Sequence, residues 1–371
     1  MKKFMIILIA VAFIAVSVMP AMAEVKFSGR TTMEMWWTKA DKVKSGKGFD
    51  DTDLAYDIGS ISFFRAQFKN GPISARVEIR PTDSVTGAAN RGVERMWYGE
   101  YDFGGWKFLI GQDYIPGFVG AGNTVQGGQG SRQGSWASGV RDPMLQAKFN
   151  VGTGTIRIAA ITNKRPAVPT GFPAGNEIDT SIPILEAKYS VKFGPLGLDI
   201  GGGYKTYDAV VTATNKAYTV DATNIYGRIV FSSGPFVIRG GYWIGTNNAE
   251  YGANTVSGDV QRAYYSAARD GIVDADFTGW TISADFKVND MFKLRAGYGG
   301  IESEQNNATI GLPDNEEENS AYWINAIITV AKNLEINPEF IIRDYKDSVA
   351  GGVSTDNGKD KVWGAQFVIR F

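Results

Sequence analysis

From Glu24 onward, apolar and polar residues alternate with a period of two, and this alternation limits the fold more than any other feature. In "VKFSGRTTMEMWW", Val25, Phe27, Gly29, Thr31, Met33, Met35 and Trp37 share one face, while Lys26, Ser28, Arg30 and Glu34 share the other. "LEAKYSVKF" repeats the arrangement, with Leu185, Ala187, Tyr189, Val191 and Phe193 opposite Glu186, Lys188, Ser190 and Lys192. Such segments suit strands that meet an apolar medium on one side and water on the other. A soluble sheet satisfies the same condition, so no single strand decides between a soluble and a membrane protein.

The punctuation decides. Short connections at Asn70-Gly71, Gly104-Gly105, Gly152-Thr153-Gly154, Gly194-Pro195, Ser233-Gly234-Pro235, Asn289-Asp290 and Lys332-Asn333 alternate with long polar ones. The short ones hold the residues that tight hairpin turns need. The long ones cover roughly 39–53, 81–92, 114–139, 163–181, 207–220, 247–274, 302–319 and 346–360. Seven turns and eight loops join about sixteen strands of about ten residues, long enough to cross a bilayer when tilted. The expected fold is all-β: a transmembrane antiparallel β-barrel with short periplasmic turns and long extracellular loops. A β-sandwich, or a soluble β-adhesin, has no reason to keep this rhythm.

The aromatic residues fall at two heights on the apolar face. Phe68, Phe103, Trp106, Phe149, Phe193, Phe231, Phe236 and Phe286 flank the turns, and Trp37, Trp97, Tyr204, Tyr242, Trp280, Tyr298 and Trp363 lie toward the long loops. Aliphatic residues lie between. This matches two interfacial girdles, whereas ordinary aromatic enrichment in strands predicts no clustering by height. In hydrocarbon no strand edge can leave its N–H and C=O groups unpaired, so the strand near Val25 must pair with the strand ending at Phe371.

The first segment stands apart. Lys2 and Lys3 precede an apolar run from Phe4 to Val18, and Ala21-Met22-Ala23 reads as a cleavage site before Glu24. The run is short for a membrane anchor helix. The expected division is therefore residues 1–23 as a cleaved signal peptide and 24–371 as the barrel domain. The formal charge of −1 becomes −3 without the two lysines, which gives no whole-chain signal for nucleic acid. The chain has no Cys and no His. That removes disulfides, Ser-His and Cys-His nucleophiles and the commonest transition-metal ligand, so a barrel protease or phospholipase loses its usual activation. No catalytic residue, cofactor or metal is expected.

If the apolar face meets lipid, the other face lines a channel. Basic residues outnumber acidic ones there, which biases permeation toward anions to the extent that pairing leaves the charge uncancelled. The loop "YIPGFVGAGNTVQGGQGSRQGSWASG" carries Arg132 as its one formal charge and is rich in Gly, Gln and Ser. A free surface loop would carry more charge; a loop folded into the lumen must follow a crowded polar wall, and Gly permits that path.

The stretch "WKFLIGQDYIPGFVG" resembles the fifth strand and third-loop start of Gram-negative general porins. Of that family's Pro-Glu-Phe-Gly-Gly, Pro116, Phe118 and Gly120 match, and Gly117 and Val119 depart. The resemblance implies a sixteen-stranded trimeric barrel whose third loop narrows the pore. It also implies an arginine cluster on the early strands facing acidic groups of that loop. Arg65, Arg76 and Arg80, with Arg30, are the matching arginines, and Asp113 is the nearest acidic residue. Small residues at Gly29, Thr31, Ser60 and Ser62 match the trimer contact. The closing strand, with Trp363, Phe367, Ile369 and Phe371, resembles the terminal aromatic signal read by the barrel-assembly machinery. The family's surroundings are outer-membrane lipid, lipopolysaccharide and, in biogenesis, periplasmic chaperones. The implied function is passive diffusion of small hydrophilic solutes with mild anion preference. The in-facing Trp36, Phe63, Tyr98 and Trp243 keep a channel selective for phosphate, other anions or sugars as the alternative.

Overall fold

The computed structural model describes residues 24–371 except 42, 45, 47, 60, 81–92, 126–140, 164–167, 170, 249–261, 306–314, 347, 351 and 352. Residues 1–23, the expected signal peptide, therefore lie outside the described residues, as do Arg132 and Ser60.

Among the described residues, sixteen staves form one antiparallel sheet. The first four are β1 (Glu24–Ala40), β2 (Asp51–Ile58 and Phe63–Asn70), β3 (Ile73–Arg80) and β4 (Val93–Asp102). Next come β5 (Trp106–Tyr114), β6 (Arg141–Val151), β7 (Gly154–Ile161) and β8 (Ile184–Phe193). Then follow β9 (Leu196–Val211), β10 (Lys216–Ser233), β11 (Phe236–Thr246) and β12 (Ala275–Lys287). The last are β13 (Phe292–Gln305), β14 (Asn315–Ala331), β15 (Leu334–Tyr345) and β16 (Lys359–Arg370). Each stave pairs with its sequence neighbours, and β1 pairs with β16 from Arg30↔Arg370 to Ala40↔Asp360, so the sheet closes.

The alternation sets the register. Ile110, Leu145, Ile158, Ile200, Ile225 and Ile282 point outward and stay exposed, as lipid-facing residues must. Their neighbours Leu109, Gln146, Ala159 and Ser283 point inward and are buried. Both girdles are present as ring contacts. Trp106 stacks on Phe103 and Phe149 at 4.3 and 5.8 Å, and Phe236 on Phe286 at 4.8 Å, at the turn rim. Trp280 meets Tyr298 edge-on at 4.8 Å toward the loop rim.

Three expectations are corrected. The connection 207–220 is not a loop: β9 and β10 stay paired from Tyr207↔Val220 to Val211↔Lys216 and turn at Thr212–Asn215. The strands outrun the membrane because Tyr207 and Val220 bury against Ala263, with Ile178 and Ile272 packed beside them, in a small core above the barrel. The second correction is Ser62, which is 2% exposed and inward. It lies in the irregular connection between the two halves of β2, just before Phe63, and its hydroxyl accepts the Thr32 N–H at 2.9 Å. The third is Gly29. A Cβ there would strike the ring of Phe371, so this residue is small because the terminal ring lies on it. Backbone bonds Gly29 N–H to Phe371 O (2.8 Å) and Phe371 N–H to Gly29 O (3.1 Å) fasten the same spot.

Replacing Gly29 with Val should evict the Phe371 ring and cost about 1–3 kcal/mol, the usual cost of overpacking. The folded band should convert to the unfolded one at lower temperature on gels, while Thr31→Val, two residues along on the same face, should not do this. Above the barrel, hydrogen bonds from Lys216, Tyr218 and Tyr265 pull the Asp270 carboxyl down to about 2 from an ordinary 3.8. A depressed carboxylate adds stability above its unfolded value and loses it as pH falls through the folded one. Asp270→Asn should thus speed amide exchange over the hairpin Tyr264–Ser266 and Gly271–Val273 at pH ~5, with the difference from the unaltered chain gone below pH ~2.

Candidate functional site

The third loop leaves β5 and enters the lumen, as its composition implies. Its described part, 115–125, runs along the inner wall from β8 round to β16. Ile115, Val119 and Ala121 are buried against the inward Leu109, Met144, Ile161 and Trp243. Val125 packs farther on with Trp36, Trp323 and Ile341. Pro116 is buried at the start, and Phe118 stacks on Tyr114 at 4.3 Å. A Cβ at Gly120 would meet open space, so this glycine is not required sterically.

The polar bonds explain why an uncharged loop holds this path. The wall supplies the charge and the loop supplies its backbone. Glu186 accepts the Gly117 N–H at 2.8 Å, and Glu339 accepts the Val125 N–H at 2.7 Å. Arg228 donates to the Gly120 carbonyl at 3.0 Å, and Arg295 donates to the Asn123 carbonyl. Ser283 donates to Ala121 O. Asn123 is the most tied residue: its amide donates to Asp285 at 2.7 Å and Ala284 O at 3.0 Å, and its Oδ1 accepts from Trp323 Nε1 at 2.6 Å. Hydrogen bonds to charged groups are the stronger kind, at about 1.5–3 kcal/mol each.

This pairing divides the basic wall in two. Arg295 on β13 is bonded to the loop, and on β9–β12 two arginines each have a carboxylate of their own: Arg228 with Asp199, and Arg239 with Asp285 at 2.8 Å. On β2–β4 three guanidiniums share one. Glu78, 1% exposed, pairs with Arg65 at 2.9 Å, Arg76 at 2.6 Å and Arg95 at 2.8 Å. Arg30 approaches from β1, its Nε bonded to Ile61 O at 3.0 Å in the irregular connection of β2. These four arginines and one glutamate form a group of net charge +3. Arg141, at the head of β6, lies on the Tyr114 ring at 4.2 Å and adds a further guanidinium, with Arg80 in its electrostatic reach.

The structure places Arg30, Arg65 and Arg76 on one stretch of the inner wall, with Arg80 at the loop end of β3. Asp113 lies farther along, on β5. It sits opposite Asp142 across the β5–β6 pair, beside Tyr98. The acidic residues under the loop, Glu186, Asp285 and Glu339, serve its backbone or the arginines beside it.

Arg95 was missed. By alternation it falls with Trp97 and Tyr101 on the lipid face, but β3 and β4 slip register between Glu78 and Ile79, where Glu78 faces Met96 and Ile79 faces Glu94. The extra residue turns Arg95 inward, 7% exposed. An arginine assigned to lipid was itself the available signal, because that placement costs several kcal/mol. Trp363, Phe367 and Ile369 lie on the outer face of the seam, opposite Trp37, Met33 and Thr31.

Comparison with protein-family models gives no match, and neither does comparison with curated proteins. Solved structures do match. The outer membrane channel DcaP of Acinetobacter baumannii superposes with a TM-score of 0.72 at 18% identity, over 95% of this chain and 99% of that one. The trimer form of in-vitro folded OmpT of Vibrio cholerae gives 0.60 at 16% identity, over 94% and 99%. OmpF of Salmonella typhi, in complex with daunomycin, gives 0.59 at 10% identity, over 94% and 98%. At these identities the likeness establishes the fold, the sixteen-stranded porin barrel.

If the loop is held as described, Asn123→Ala should strand Trp323 Nε1 and weaken the anchor by about 1–3 kcal/mol. In single-channel records the open level should become noisier, with excursions to higher conductance. Gly120→Ala should leave the record unchanged.

Proposed function

We propose that the chain forms a water-filled channel in the outer membrane of a Gram-negative cell and passes small hydrophilic solutes by diffusion, with a preference for anions. The observation that carries this reading is the uneven wall: Glu78 serves three arginines on β2–β4, whereas Arg228 and Arg239 on the opposite wall each have a carboxylate of their own. Fixed positive charge on one side of a narrow aqueous path raises the local anion concentration. The third loop narrows the path, and its backbone anchors keep it in place. The reading includes no catalysis and no cofactor.

The rest of the proposal concerns biogenesis and assembly. The segment 1–23 directs export and is cleaved before Glu24. Periplasmic chaperones and the assembly machinery take the chain to a membrane of lipid and lipopolysaccharide, reading the terminal strand with Trp363, Phe367, Ile369 and Phe371. The product is a homotrimer, supported by the trimer form of the Vibrio cholerae protein of like fold. A second reading is a substrate-selective channel. It draws on the aromatic residues Tyr114, Phe118 and Tyr98 beside the arginines, which give a solute apolar as well as charged contacts.

Purified protein in planar bilayers should insert as ohmic conductance steps. Under a potassium chloride gradient the reversal potential should lie on the anion side. The double variant Arg65→Ala, Arg76→Ala, which leaves Arg95 on Glu78, should shift it toward cations. Folded protein without steps would sink the channel reading. A reversal potential that stays put would remove these arginines from the filter.

A further inference from the structure

Phe63 is an aromatic residue among charges. It opens the second half of β2 directly after the irregular connection and faces the lumen. Three guanidiniums lie around its ring: Arg65 at 4.5 Å from the centroid, Arg30 at 5.2 Å and Arg95 at 5.5 Å. They come from three different staves, β2, β1 and β4. Of the three, Arg65 and Arg95 pair with Glu78 and Arg30 bonds Ile61 O, and the Phe63 ring lies in contact with all of them.

The two ways of holding an arginine differ in what they leave for a passing solute. A carboxylate holds a guanidinium by cancelling its charge and occupying its N–H fork. An aromatic face holds it through the ring quadrupole, cancels no charge and leaves the in-plane N–H groups pointing outward. A second carboxylate at position 63 would lower the charge of the cluster and occupy more of its donors. A small aliphatic residue would let three like charges spread apart. Phe63 keeps them close and keeps them charged.

We propose that Phe63 is a positioning residue that, backed by the buried Arg95, sets Arg30 and Arg65 as a cradle of forked donors, and that this cradle favours small oxyanions over halides of the same charge. The proposal rests on the channel reading above. A guanidinium fork matches two oxygens of a carboxylate, phosphate or sulfate, while a chloride ion takes one donor direction at a time. Charge alone attracts both; only the fixed orientation of the forks separates them. Phe63 touches no permeant in this account. It acts through the arginines, so removing the ring should alter discrimination while the number of charges stays the same.

The experiment measures chloride current through single channels at neutral pH while inorganic phosphate is added at constant ionic strength. In the unaltered protein, phosphate should reduce the chloride current in a saturable way. In Phe63→Leu the phosphate concentration for half-reduction should rise several-fold, with little change in the potassium chloride reversal potential. Phe63→Tyr, which keeps the ring face, should behave as the unaltered protein, and heat-modified gel mobility confirms that both variants fold. If Phe63→Leu keeps the original phosphate response, Phe63 positions nothing. If phosphate never reduces the current although the reversal potential is anionic, the cradle does not favour oxyanions and the diffusion channel stands without it. If Phe63→Leu moves the reversal potential as far as loss of two arginines does, the ring acts on charge and not on orientation, and the proposal fails.

Discussion

Every backbone N–H and C=O that crosses hydrocarbon must find a partner within the protein, because the lipid offers none. The rest of the molecule follows from that requirement. It turns an alternating sequence into a closed sheet, since an open one would leave β1 and β16 with bare edges. Closure in turn brings residue 29 and residue 371 together, and the Gly29 position is shaped by it: the terminal ring needs a bed without a side chain. The same requirement sets the inside. Half of every stave must face away from lipid, and that half carries Glu186 and Asn325, bonded to the loop, beside the apolar patches of Leu109, Met144 and Ile341 on which the loop packs.

The third loop meets the same demand in a different place. It is irregular backbone crossing the interior, with no sheet ladder to bond to. Glu186 and Glu339 take its N–H groups, and Arg228, Arg295 and Ser283 take its carbonyls. The loop can then be rich in Gly and nearly free of charge. The carboxylates used there accept from the loop backbone, and the arginines used there are paired or bonded to the loop. What remains uneven is β1–β4, where one glutamate answers several arginines. On this account the selectivity of the channel follows from how its constriction loop is anchored.

Most of the fold was legible in the sequence because period two and turn residues are local signals. Asn70-Gly71, Gly194-Pro195 and Lys332-Asn333 each lie at a turn, and the short–long rhythm gives sixteen staves. The loop's path could be read from its lack of charge, although its partners could not, since they lie on staves far away in the chain. Counting by parity failed where a strand gains or loses a residue. The slip between Glu78 and Ile79 brought Arg95 inside, and the irregular connection within β2 did the same for Ser62. The one local mark of the slip is Arg95 falling on the apparent lipid face; the size of each irregularity is fixed by the partner strand and not by the local alternation. The paired extension of β9 and β10 beyond the barrel escaped notice for a related reason: it is stabilised by residues of other connections, Ile178, Ala263 and Ile272.

The central claim is that the third loop, between residues 115 and 125, lies along β8–β16. The chain has no Cys, so introduced thiols report without background. A pair of cysteines at Val125 and Gln366, whose amide donates to the Val125 carbonyl at 3.4 Å, can be compared with a pair at Val125 and Arg76. With a short bifunctional thiol reagent on the folded barrel, the first pair should link readily and the second should not. Linking at Arg76 with none at Gln366 would place the loop against the arginines instead, and the account would be wrong.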